Sequence, residues 1–162
     1  MRRILVAGLL TASSCMFAQK LAWQSNAQPK TTQQVQFLLP EQVTVPARRP
    51  STIEMHFRVN NGLHINSHTP QEKSLIPTQL MVEEPAGLKI EAVDFPPGTD
   101  YSPAFSPSDK LSVYTGEFVL RAHVVAQAGE HLLQGTLRYQ ACDANSCYPP
   151  KKAPVAVNVV GK

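Results

Sequence analysis

Cys142 and Cys147 are the residues of this sequence best suited to chemistry. Asp143-Ala144-Asn145-Ser146 separates them, and Tyr148-Pro149-Pro150 and Lys151-Lys152 follow. Two thiols so close in sequence can close a disulfide across a loop, and an attacking thiolate can open it again through a mixed disulfide. As a staple, so short a loop is worth less than the ~3 kcal/mol that chain entropy assigns to a fifteen-residue loop. As a switch, it suits a bond meant to open, since strain eases reduction and a loop at a strand end gives an attacking thiolate access. Spacing alone leans slightly to the structural clip. No metal is expected, because zinc needs more ligands and none of the five histidines lies near in sequence. Asp143 either raises the pKa of the Cys142 thiol by like-charge repulsion or caps the turn. Lys151 and Lys152 either favour a thiolate or serve solubility.

Alternating apolar residues position the pair. Leu133, Leu137 and Tyr139 lead into the loop, and Val155, Val157 and Val159 lead out. The same period of two runs through Ile53, Met55, Phe57 and Val59, and through Phe118, Leu120, Ala122 and Val124. Asn60-Asn61-Gly62 marks a turn. The stretch from Leu63 to Pro70 reads as short and polar, so His64 and His68 are expected on a polar face. His56 and His123 are expected on solvated strand faces. Residues 96–109 hold four prolines with Tyr101 and Phe105, and form a candidate functional loop. Eight or nine short strands and no amphipathic helix point to an all-β fold, an immunoglobulin-like antiparallel β-sandwich.

The chain has 162 residues, enough for one domain with a core. Residues 1–18 read as a secretory signal: Arg2 and Arg3, an apolar core from Ile4 to Leu10, then small residues. Cleavage after Ala18 is preferred. A lipoprotein signal, with Cys15 lipidated, is the alternative and the one route to a membrane. No window reaches the roughly 18 consecutive apolar residues of a membrane span. Residues 19–39 are expected to be a flexible arm, in which Val35 to Pro40 can start the fold as an edge strand; residues 40–162 form the domain. Removing the signal lowers the net charge from +3 to +1, so no nucleic-acid footprint remains. Export places the chain in an oxidising compartment, where Cys142 and Cys147 are left as an even pair.

Three segments carry a resemblance. Leu137 to Cys142 with Cys147-Tyr148-Pro149-Pro150 resembles the active-site segment of the N-terminal periplasmic domain of the thiol:disulfide interchange protein DsbD, the disulfide bond corrector family. Gly62 to Pro70 with Ser74 to Thr78 resembles that family's early region, and Val113 to Phe118 resembles the stretch before its central strand. The resemblance implies an immunoglobulin-like sandwich whose cysteine pair, here Cys142 and Cys147, is redox-active. It implies a thioredoxin-like reductant and periplasmic disulfide proteins as partners, with no cofactor. It makes Cys147 the cysteine that forms mixed disulfides, and has Tyr139 and Tyr148, with Pro149, line the site. Two departures stand out. Four residues separate the cysteines, where the best-known members have five. The shielding aromatic of the family's cap loop has no clear match, and Phe105 or Tyr101 is the substitute. The 162 residues include neither a membrane domain nor a thioredoxin-like one, so the reductant is expected on a separate protein. The competing expectation is a non-catalytic binding module of the same fold, with Cys142–Cys147 as a permanent clip.

Overall fold

Period-two apolar patterning becomes a sandwich because each strand has one face to hide. The computed structural model describes residues 33–38, 42–103 and 106–162. The expected signal, Cys15, most of the expected arm and Phe105 lie outside the described residues. Among the described residues twelve strands follow in order: β1 (Val35–Leu38), β2 (Gln42–Val45), β3 (Pro50–Val59), β4 (His64–Asn66), β5 (Gln79–Glu83), β6 (Leu88–Asp94), β7 (Thr99–Tyr101), β8 (Leu111–Tyr114), β9 (Glu117–Ala126), β10 (Gly129–Tyr139), β11 (Ala141–Cys142) and β12 (Lys151–Gly161).

Two four-stranded sheets make the body, in the orders β1-β3-β9-β6 and β2-β12-β10-β5. Every pairing is antiparallel except β2 with β12. In the first sheet Phe57 faces Phe118 and Met55 faces Leu120 across the β3–β9 ladder. In the second, Leu133 faces Val157 and Leu137 faces Ala153. The inward residues of both sheets belong to one apolar core, with Ile53, Met55, Phe57, Leu120, Leu133 and Leu137 essentially unexposed. Burying each such side chain contributes about 1.5–3 kcal/mol, so this shared core holds the two sheets together. The fold is an immunoglobulin-like β-sandwich.

The outer face of the first sheet is charged instead. Arg58 pairs with Glu117, Arg121 Nε donates to Glu54 Oε1 at 3.1 Å, and His123 Nε2 meets Asp94 Oδ2 at 2.7 Å. Such exposed cross-strand pairs add little stability each, but they fix which face stays in water. His56 and His123 lie on this face, as their alternation implies.

The sheet begins earlier than residue 40. Val35 is fully buried in β1, the edge strand beside β3, so residues 35–38 belong to the domain and not to the arm. The turn at Asn60-Asn61-Gly62 closes with Leu63 N donating to Asn60 O at 3.1 Å, and Gly62 takes φ 79°, a left-handed conformation that glycine adopts without a Cβ clash. Pro154 sits inside β12 without breaking it. β2 pairs with β12 only from Asn158 onward, so among the described residues no strand pairs with that side of β12 at Pro154.

A third, smaller sheet runs β11-β4-β8-β7. Three of its four strands have only two or three residues. Local composition predicts a polar loop segment at β4 and an irregular loop at β7, yet both fold as strands. The cysteine pair is built on this sheet.

Candidate functional site

Cys142 ends β11, and Cys147 comes back opposite it as an isolated antiparallel bridge. The two sulfurs are bonded, with Cα atoms 3.9 Å apart. The intervening residues fold as they do because of Asp143. Its Oδ1 accepts the backbone N–H of Asn145 at 2.7 Å and of Ser146 at 2.8 Å, an Asx turn. Its own N–H donates to Ser146 O at 2.9 Å. Its Oδ2 accepts the Tyr148 hydroxyl at 2.6 Å. Of the two roles open to Asp143, the structure supplies the turn cap. The exit is pinned by Tyr148 N donating to Ala141 O at 2.8 Å and by Gln140 Nε2 donating to Tyr148 O at 3.2 Å.

The two cysteines are not equivalent. Cys142 is 3% exposed, whereas Cys147 lies in the run of exposed residues from Ala144 to Pro150. The bond thus joins an exposed residue to a buried one.

The family model described as "Thiol:disulfide interchange protein DsbD, N-terminal" matches residues 34–158. The chain belongs to this DsbD N-terminal family. Among solved structures it is similar to the reduced form of the DsbD N-terminal domain from Neisseria meningitidis, with 17% identity, 71% of this chain and 82% of that one covered, and a TM-score of 0.45. It is similar to the complex of the DsbD and PilB N-terminal domains from the same organism, with 19% identity, coverage of 65% and 73%, and a TM-score of 0.43. It is also similar to the N-terminal periplasmic domain of ScsB from Proteus mirabilis, with 13% identity, coverage of 71% and 42%, and a TM-score of 0.48. No curated protein matches.

For a DsbD N-terminal domain, whose chemistry is thiol–disulfide exchange, the surroundings of the disulfide matter most. Tyr148 is 36% exposed, with its hydroxyl on Asp143. Pro149 is exposed beside it. Tyr139 is fully buried in the core, and its hydroxyl lies near the backbone amides of Gln34 and Val35 without a hydrogen bond. It supports the strand that leads to the loop and offers no exposed surface beside the disulfide. Tyr101 ends β7 on the same small sheet as Cys142.

Tyr101 reaches the site through His64, a residue that polar composition places on a solvated face. His64 is instead 5% exposed. It is the register partner of Cys142 in the β4–β11 pair. Its ring packs on Tyr101 with centroids 4.2 Å apart and planes tilted 35°. His68, four residues on, remains exposed, stacks on Phe95 at 3.9 Å, and has Nδ1 3.0 Å from Thr78 O. No spacing rule links residue 64 to residue 142. The one local signal is Ile65, an apolar residue in the middle of the polar run, which is fully buried in β4.

The electrostatics of the loop follow from these contacts. The Tyr148 hydroxyl, and then the Asn145 and Ser146 amides, hold the Asp143 carboxyl below its ordinary value. The same hydrogen bond, with the charge of Asp143, pushes the Tyr148 phenol up. Burial lowers the pKa of His64, and the negative charge of Asp143 partly opposes that.

Proposed function

We propose that this chain is an exported thiol–disulfide interchange module that takes electrons from a thioredoxin-like partner and passes them to periplasmic disulfide proteins. Export rests on the signal-like residues 1–18, and the partners rest on the family. The observation that carries the reading is the asymmetry of the Cys142–Cys147 bond in a DsbD N-terminal domain: Cys147 is an exposed residue and Cys142 a buried one.

On this reading a thiolate of the reductant attacks Cys147 Sγ. The Cys142–Cys147 bond breaks, and its electron pair leaves on Cys142 as a thiolate. The partner's second thiolate then attacks its own sulfur in the mixed disulfide and frees Cys147. The partner is oxidised and the domain holds two thiols. Delivery to a substrate disulfide runs the same steps in reverse, with Cys147 attacking first and Cys142 resolving. Tyr148, Pro149 and Tyr101 would frame the approach to Cys147.

The test is the reduction potential of the Cys142–Cys147 bond in the purified protein, equilibrated against glutathione buffers and read by thiol alkylation. A value within roughly −120 to −270 mV, the range of exchange proteins, supports the relay. A value below about −300 mV, typical of structural disulfides, leaves a permanent clip in a binding module and removes the relay.

A further inference from the structure

We propose that His64 is the proton acceptor for Cys142, activating it as the resolving thiol. The inference rests on the exchange reading above and adds a residue to it. Directly opposed residues of an antiparallel pair project from the same face of the sheet, with Cβ atoms about 4.5–5.5 Å apart. His64 and Cys142 are such a pair, and both are buried.

The position of His64 is fixed by its strand. Asn66 Nδ2 donates to Ile76 O at 3.0 Å, Thr78 Oγ1 donates to Asn66 O at 2.6 Å, and Ser67 N donates to Ser112 O at 2.8 Å. Tyr101 covers the ring from β7. Burying an imidazole costs free energy that a valine or leucine would not incur. A disulfide needs no base opposite it; a buried thiol that must become a nucleophile does.

The groups facing the ring suit that task. Cys142 is opposite, the Asp143 carboxylate is next along the chain, and the aromatic face of Tyr101 lies alongside. The carboxylate and the aromatic face both favour a transient imidazolium. Burial keeps the ring neutral near neutral pH, so it is ready to accept a proton. Once Cys147 has formed a mixed disulfide with substrate, His64 takes the Sγ proton of Cys142. The Cys142 thiolate attacks Cys147 Sγ, the bond from Cys147 to the substrate sulfur breaks, and the substrate departs as a thiolate with that electron pair. The imidazolium returns its proton to water.

The experiment uses Ellman's reagent as the disulfide substrate and the reduced full-length protein carrying Cys15→Ser, so that Cys142 and Cys147 are its only thiols. The first thionitrobenzoate reports attack by Cys147, and the second reports resolution by Cys142. In the native protein the second release is expected to be fast at neutral pH, with a lower pH limb set by a histidine. In His64→Phe it should slow by roughly a hundredfold at neutral pH, the lower end of what a positioned base supplies, and its pH limb should move up to the range of an ordinary thiol. His64→Gln, which keeps a polar side chain but no base, should behave as His64→Phe does and guards against a phenylalanine that fails to pack. The first release should be unchanged in both. Unchanged rate and pH profile of the second release in either folded variant would overturn the role of His64 while leaving the exchange reading intact. A native protein that never releases the second thionitrobenzoate overturns both.

Discussion

His64 and Cys142 stand directly opposite each other across the β4–β11 ladder, each almost completely buried. A histidine held neutral by burial ties stability to pH. Its folded-state pKa is lowered from 6.5, so the unfolded chain binds the proton more readily than the folded one. Stability contributed this way is fully present above 6.5 and is lost as pH falls below it toward the folded value. Thermal melts through this window should show a falling Tm in the native protein and a flatter dependence in His64→Gln. Equal slopes would mean that His64 takes up its proton without disturbing the fold.

Asp143 organises the loop between the cysteines through three hydrogen bonds to Asn145, Ser146 and Tyr148. Asp143→Ala removes all three. Amide exchange at Asn145 and Ser146 should become much faster, while β3 and β9 keep their protection. The Tyr148 phenol should titrate lower than in the native protein, because the charge and hydrogen bond that push it up are gone. Spectrophotometric titration reads this directly, and an unmoved Tyr148 would separate it from Asp143.

The unequal burial of the two cysteines predicts their reactivity. In the reduced protein, iodoacetamide should modify Cys147 faster than Cys142 by about an order of magnitude or more, since the rate follows access as well as thiolate fraction. Peptide mapping of partly alkylated protein gives the ratio. Equal labelling would mean that reduction opens the β4–β11 pair, and would remove the basis for assigning the first attack to Cys147.

How far the sequence can be read differs between the large sheets and the small one. β3, β9, β10 and β12 are ten or eleven residues long, and their alternation shows directly which residues go inside. The cysteine loop and its exit are local features and are visible for the same reason. β4, β7 and β11 are too short to show a period, and the buried residues of β4 and its flank include His64, Asn66 and Ser67. Their burial is enforced by partners far along the chain, Ile76, Thr78 and Ser112, and polar composition argues against it locally. That is why local composition puts His64 on a polar face. The placement of Tyr101 beside it depends on the same small sheet.

Tyr139 offers a contrast between a buried residue that packs and one that bonds. Its ring is fully buried in the core, and its hydroxyl has no hydrogen-bond partner among the described residues. An unpaired buried hydroxyl costs about 1–3 kcal/mol of lost hydration. Tyr139→Phe keeps the ring and removes that cost, so chemical denaturation should show stability unchanged or raised. Leu137→Ala, two residues earlier on the same inward face of β10, removes apolar volume from a fully buried position. It should cost about 2–5 kcal/mol through lost transfer energy and the cavity left behind. The pair separates two explanations for the aromatic before the cysteine loop. If Tyr139→Phe were as damaging as Leu137→Ala, the hydroxyl would be making a bond that matters, and the tyrosine would be more than a core filler at the root of the loop.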